Sequence, residues 1–235
     1  LDAVLFDLDG VLTPTVDVHR RAWRALFDDF FSRHAITPPY TDEDYTRHID
    51  GRPRFKGVAA VLASRSITLP AGTPADPPEA ETIAGLGNRK NAAFLTTLMN
   101  DGVTPYPGTA STLDELARRG VLLAVVSSSV NAGQVLKAAG LDHYFPVVVD
   151  GRTVEQEGLP GKPAPDTFLR AAELLGTTPK RTAVLEDAVA GVQAASAGDF
   201  VIVLGVDRGA GADRLLEAGA HAVVTSLPDA LTYLV

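Results

Sequence analysis

The stretch Ala3-Val4-Leu5-Phe6-Asp7-Leu8-Asp9-Gly10-Val11 decides how the rest of the chain is read. Four apolar residues without polar alternation suit a short strand buried on both faces of a parallel sheet. Two carboxylates follow, one residue apart, and Gly10 lets the backbone turn tightly beside them. In an open parallel sheet, ligands bind beyond the carboxyl ends of the strands. An acid pair delivered to that edge suits transfer at a P–O bond, where one carboxylate attacks and the other moves a proton. Two such acids repel each other and an incoming anion, so this chemistry calls for a cation. Taken alone, Asp-x-Asp-Gly is equally a turn after a strand.

Further short apolar runs lie at 121–126, 146–149, 182–185, 200–204 and 222–224. Between them, helical spacing covers 109–119, 132–139, 166–175, 189–197 and 210–218. Strand alternating with helix predicts an α/β fold, a doubly wound parallel sheet. Residues 15–102 break this rhythm. They carry helical patterns at 19–33, 54–66 and 81–100, no buried strand, and a proline-rich run at 69–78 expected to be a surface loop. The reading is a core formed by 1–14 and 103–235 with a helical domain, 15–102, inserted after the first strand. The alternative is that these helices cover one face of the sheet.

Three more run ends carry reactive residue types. The run 121–126 ends in Ser127-Ser128-Ser129, whose hydroxyls and following N–H groups suit a phosphate cradle or a plain helix cap. Lys162 stands in Gly161-Lys162-Pro163-Ala164-Pro165; the prolines stiffen the loop, and an inward amine would neutralise a phosphate oxygen. The run 182–185 ends in Glu186-Asp187, hard oxygen ligands suited to Mg²⁺, or acids favoured at a helix start. Each bland reading is respectable alone. Acid pair, hydroxyl, lysine and acid pair in order, each beside a predicted strand end, are harder to explain that way.

The bulk numbers narrow the partners. The 235 residues include no cysteine, which removes disulfides, thiolate metal sites and thiol nucleophiles and suits a reducing, cytoplasmic setting. A formal charge of −8 argues against nucleic acid. No run reaches the roughly 18 apolar residues of a membrane span, and the first ten residues, with three acids and no basic region, do not read as a signal peptide. Nothing demands more than a monomer.

The ordered set Asp7-x-Asp9-Gly10-Val11, Ser127, Gly161-Lys162-Pro163 and Glu186-Asp187 resembles the four motifs of the haloacid dehalogenase superfamily of phosphatases and phosphomutases. The likeness spans essentially the whole chain. It implies a Rossmann-like core with an inserted helical cap that closes over the substrate. It implies Asp7 as nucleophile, Asp9 as acid/base, and Ser127 and Lys162 on the transferring phosphoryl group. Mg²⁺ would be held by Asp7, the Asp9 carbonyl, Glu186 and Asp187. Within 15–102, His19, Trp23, Gly51, Arg54 and Asn88-Arg89-Lys90-Asn91 are similar to the β-phosphoglucomutase branch. That branch implies a small phosphosugar substrate. His19 would position the acid/base, Arg54 would hold the non-transferring phosphate, and Lys90 and Asn91 would face the sugar. Ser129 and Asn131, after the second strand, would help hold that second phosphate, and Ser128 would join the substrate contacts.

Three positions depart from that branch. Asp50 stands where a lysine is common, Val130 replaces a lysine between Ser129 and Asn131, and Pro14 occupies a hinge position that is usually Asp. The same residues leave a phosphosugar phosphatase open. A phospho-acceptor receiver domain is a remoter alternative at roughly half this length and without an insert. A non-catalytic binding protein of the same fold would be expected to have lost a reactive position, and none is lost.

Overall fold

Ala3–Phe6 forms strand β1, every residue of it buried. The computed structural model describes residues 1–235 and divides into two compact units, Leu1–Pro14 with Val103–Val235, and Thr15–Gly102.

Thr15–Gly102 contains helices and loops but no strand. Its first helix, α1 (Thr15–Arg33), buries Val16, Trp23, Leu26, Phe27, Phe30 and Phe31, an apolar stripe at helical spacing. Thr15 and Val16 extend that stripe, so the helix starts earlier than the pattern at 19–33 suggests. A short turn, α2 (Asp42–Asp44), is capped by Thr41 and runs into a π-helical turn, Tyr45–Ile49. Helices α3 (Arg54–Ala63) and α4 (Ile83–Asp101) complete the unit. The Phe27 ring stacks on Trp23 at 5.8 Å and on Tyr40 at 5.2 Å. With Val58, Val61, Leu62 and Leu86 these rings form a hydrophobic core internal to the unit. Residues 69–78 carry neither helix nor strand.

The chain then continues through α5 (Thr109–Arg118), β2 (Leu122–Val126), α6 (Ala132–Ala138), β3 (Val147–Val149), α7 (Gly151–Glu157), α8 (Asp166–Leu174) and β4 (Thr182–Glu186). It ends with α9 (Val189–Ala197), β5 (Ile202–Val206), α10 (Ala212–Glu217), β6 (Ala222–Val224) and α11 (Leu227–Leu234). All strand pairs are parallel, in the order β3-β2-β1-β4-β5-β6. Leu5 is in register with Ala124 on one side and Val184 on the other. This is the α/β fold with a doubly wound parallel sheet.

The strand order reverses at β1, whose neighbours are β2 and β4. The crevice at such a switch point is where open α/β sheets bind ligands. Those three central strands are the ones followed by Asp7, Ser127 and Asp187.

Strand β5 departs most from the sequence pattern, while β6 covers 222–224 as expected. β5 covers 202–206 rather than 200–204, because Phe200 packs edge-on against Phe168 of α8 and Gly205 hides the far end of the apolar run. Helix α7 carries no periodic signal, and the apolar stripe of α11, Leu227, Ala230 and Leu234, is short. In α7 only Gly151 is buried, and α11 announces itself mainly by Ser226, whose hydroxyl accepts from the Asp229 N–H. No helix is long and apolar enough to cross a membrane.

Candidate active site

Asp7 follows β1, and its N–H donates to the Leu185 carbonyl of β4 at 2.9 Å, which continues the sheet for one more residue. The carboxylate is thereby fixed at the strand end. Gly10, at φ +92°, turns the chain away immediately afterwards. A Cβ there would also collide with the Asp187 carboxylate. Glycine is required at this position for both conformation and space.

Lys162 is 3% exposed, which sets it apart from an ordinary solvated lysine. Its Nζ donates to Asp7 Oδ1 at 2.6 Å, to Glu186 Oε1 at 2.5 Å and to the Val126 carbonyl at 3.0 Å. All three ammonium protons therefore have partners. The second Glu186 oxygen accepts from the Ala188 N–H at 2.9 Å. A side chain on Gly191 would overlap the Glu186 carboxylate, so α9 approaches this acid closely only because that residue is glycine.

Asp7, Glu186 and Asp187 are all buried and present carboxylate oxygens within 4.8 Å of one another. Asp9 is half-buried, and Ser127 donates to its Oδ2 across 3.5 Å. Two carboxylates thus touch one ammonium, and two more, Asp9 and Asp187, lie beside them. Burial pushes the Asp7 carboxyl well above the usual carboxylate range; Lys162 opposes this, while Glu186 and Asp9 reinforce it. Burial pulls Lys162 down, but the Asp7 and Glu186 carboxylates outweigh it and the net direction is up. The excess negative charge and the hard oxygen donors fit a divalent cation.

The serine run folds onto itself. Ser127 Oγ accepts from the Ser129 N–H at 3.1 Å, and Ser129 Oγ accepts from the Asn131 N–H at 3.2 Å. Asn131 is buried, whereas Ser128 and Ser129 are half-buried. Gly151 donates its N–H to the Ser129 carbonyl, and a Cβ on it would press on Val130 Cγ1 at 2.8 Å. At this departure from the β-phosphoglucomutase pattern, Val130 lies against the start of α7.

The remaining candidates belong to the helical unit. His19 on α1 and Lys90 on α4 meet, with Nζ against Nδ1. The Lys90 ammonium also lies 5.1 Å from the Trp23 ring and 5.0 Å from Phe94, while His19 stacks on Phe94 at 4.1 Å. Asn91 is the next residue on α4 and is half-buried. Arg54 opens α3 and donates to Asn88 Oδ1 at 3.1 Å. Asp50 closes the π turn with its N–H on the Tyr45 carbonyl, and Pro14 is the last residue before α1.

One residue near the acid pair had no signal in the sequence. Arg208, just past β5, donates to the Gly10 carbonyl at 2.9 Å and to the Thr225 carbonyl at 2.8 Å. Its guanidinium stacks 3.9 Å from the Tyr106 ring. It ties the turn after Asp9 to two distant loops, and a lone arginine after a strand gives no hint of that.

The model of the haloacid dehalogenase-like hydrolase family matches residues 1–199. The chain belongs to this family. A β-phosphoglucomutase of Mycobacterium tuberculosis is 46% identical over 238 residues, covering 97% of this chain and 91% of that protein. The fructose-1-phosphate phosphatase YqaB of Escherichia coli is 30% identical over 194 residues, covering 83% and 90%. Among solved structures, the β-phosphoglucomutase of Clostridium difficile superposes with a TM-score of 0.79 at 24% identity, covering 100% and 95%. That structure shares the α/β core and the inserted helical domain that marks this haloacid dehalogenase-like chain.

Proposed function

We propose that this protein is a phosphomutase acting on a small phosphosugar through an aspartyl phosphate, most similar in action to β-phosphoglucomutase. The observation that carries the reading is the buried Asp7–Lys162–Glu186 triad at the switch point, in a chain 46% identical to a β-phosphoglucomutase along nearly all its length.

An Asp7 oxygen attacks phosphorus, the P–O bond to the sugar breaks, and Asp9 gives a proton to the leaving oxygen. Lys162 holds Asp7 in place and, with Ser127, offsets charge on the phosphoryl oxygens. In the return half, a different hydroxyl, on a sugar that carries its own phosphate, gives its proton to Asp9 and takes the phosphoryl group, so a sugar bisphosphate stands between the two isomers. Asp7, Glu186, Asp187 and the Asp9 carbonyl would hold Mg²⁺, which supplies positive charge for the phosphoryl oxygens. Ser129 and Asn131, with Arg54, serve the second phosphate, while Ser128, His19, Lys90 and Asn91 serve the rest of the substrate. A cytoplasmic phosphosugar pool is the expected setting.

Phosphorus NMR tests the reading directly. Purified protein with Mg²⁺, β-glucose 1-phosphate and a catalytic trace of glucose 1,6-bisphosphate is expected to yield glucose 6-phosphate. Release of inorganic phosphate alone would instead establish a phosphatase, the activity named for the Escherichia coli relative.

A further inference from the structure

The proline-rich segment before α4 does more than connect two helices. Its Pro70 and Ala71 carbonyls accept the Ile83 and Ala84 N–H groups at 3.0 and 3.1 Å, and Thr82 Oγ1 accepts from Gly85 N–H at 2.9 Å. Donors that a helix start leaves without partners are thus satisfied by the loop itself. Asp76 tightens the segment, accepting from the hydroxyls of Thr73 at 2.9 Å and Thr82 at 2.6 Å. Arg89 Nε adds a bond to the Pro78 carbonyl at 2.8 Å. Prolines at 70, 74, 77 and 78 restrict the loop before it folds, which lowers the entropic cost of holding it there.

Asn88 reads this loop. Its Nδ2 donates to the Pro74 carbonyl at 3.0 Å and the Asp76 carbonyl at 2.8 Å. Two carbonyl partners require the amide nitrogen on that side, so the amide oxygen must face the other way. There it accepts from an Arg54 guanidinium nitrogen at 3.1 Å. Gly87, the preceding residue, clears the adjacent space: a Cβ on it would press on the Phe55 ring at 2.7 Å and on Arg54 Cγ at 3.3 Å. The guanidinium also lies over the Phe55 ring at 4.7 Å. Loop backbone, Asn88 amide and Arg54 therefore form one chain of orientation, each link fixing the next.

We infer that residues 70–82, acting through Asn88, are a positioning device that holds the Arg54 guanidinium in one orientation for the second phosphate of a phosphosugar. The inference rests on the assignment of Arg54 to that phosphate. Asn88 touches no substrate in this scheme; it acts through the arginine. A guanidinium left to rotate would have to be ordered by the substrate each time, which weakens binding.

A double-mutant cycle in the full-length protein tests this, with Arg54→Ala, Asn88→Ala and the pair assayed for kcat and KM on β-glucose 1-phosphate. Arg54→Ala is expected to raise KM or lower kcat/KM strongly. Asn88→Ala should lower kcat/KM about tenfold when Arg54 is present, as for a lost hydrogen bond to a charged group. In the Arg54→Ala background the same change should cost less than about twofold, because the residue through which Asn88 acts is gone. An equal fold-loss in both backgrounds would overturn the inference and leave Asn88 a purely structural residue. If Arg54→Ala itself changes nothing, the assignment of Arg54 fails first, and the two failures are told apart. Should Asn88→Ala not fold, Asp76→Ala releases the same loop and is judged by the same cycle.

Discussion

Lys162 in the core and Arg65 in the helical unit are both cations withdrawn from water, with side chains 2% and 5% exposed. Their surroundings differ in charge balance. Arg65 meets one acid: its two terminal nitrogens donate to the two oxygens of Asp44 at 2.9 and 2.7 Å. Its other bonds go to neutral acceptors, the Pro38 and Pro39 carbonyls and the Ser64 hydroxyl, and it lies over the Phe31 ring. Lys162 meets two acids directly, with Asp9 and Asp187 beside them. The first arrangement is neutral and complete, and it stitches a loop to a helix. The second is left with excess negative charge that a fold gains nothing by burying. Unbalanced buried charge of that kind is the mark of a site built for ligands, whereas balanced buried charge is the mark of a site built for shape.

Neutralising one core acid should separate the two types most sharply. Asp7→Asn is expected to lower turnover by at least about a thousandfold, as loss of a nucleophile does. It should also abolish trapping of an acyl phosphate, while thermal unfolding of the metal-free protein should not fall, since a repelling charge has gone. A labelled acyl phosphate in this variant would remove Asp7 from its role.

The matching change in the helical unit should act on stability instead. Asp44→Asn leaves Arg65 without its charge partner and is expected to cost about 3 kcal/mol, measured by denaturant unfolding at pH 7. Hydrogen bonds from Arg65, against the opposing effect of burial, hold the Asp44 carboxyl at about 2, compared with an ordinary 3.8. A depressed carboxylate contributes its stability above the unfolded value and loses it as pH falls through the folded one. The gap between wild type and Asp44→Asn should therefore be full above pH 3.8 and narrow toward pH 2. A gap that stayed constant would mean the pair contributes packing rather than charge.

The smallest effect concerns the cation. Saturating Mg²⁺ should stabilise the wild-type core, by about 2.7 kcal/mol at a concentration a hundred times its Kd. Asp187→Asn should erase that shift, and Asp44→Asn should leave it intact. A shift surviving in Asp187→Asn would move the cation elsewhere.

How much of this was legible depends on how local each signal is. Asp7, Ser127 and the pair Glu186-Asp187 stand out because each directly follows an apolar run, and a buried strand must deliver its next residues to the sheet edge. Lys162 could be picked out only by its prolines and its place in the order; its burial between two acids depends on β2 and β4 flanking β1. Arg208 and the Asp44–Arg65 pair gave no signal, since their partners lie in distant segments and a lone charged residue looks solvated. Asn88 belongs to a family pattern, but its double grip on the Pro74 and Asp76 carbonyls is invisible in sequence, because backbone acceptors leave no trace in side-chain identity.

The α/β class, the helical insert and the order of reactive residues follow from periodicity and strand-end chemistry, which are written along the chain. Which charges balance is settled by the folded arrangement alone. That depends on distances between residues more than a hundred positions apart, such as Asp7 and Lys162 at 2.6 Å, and Coulomb energy follows those distances and the exclusion of water rather than the order of residues.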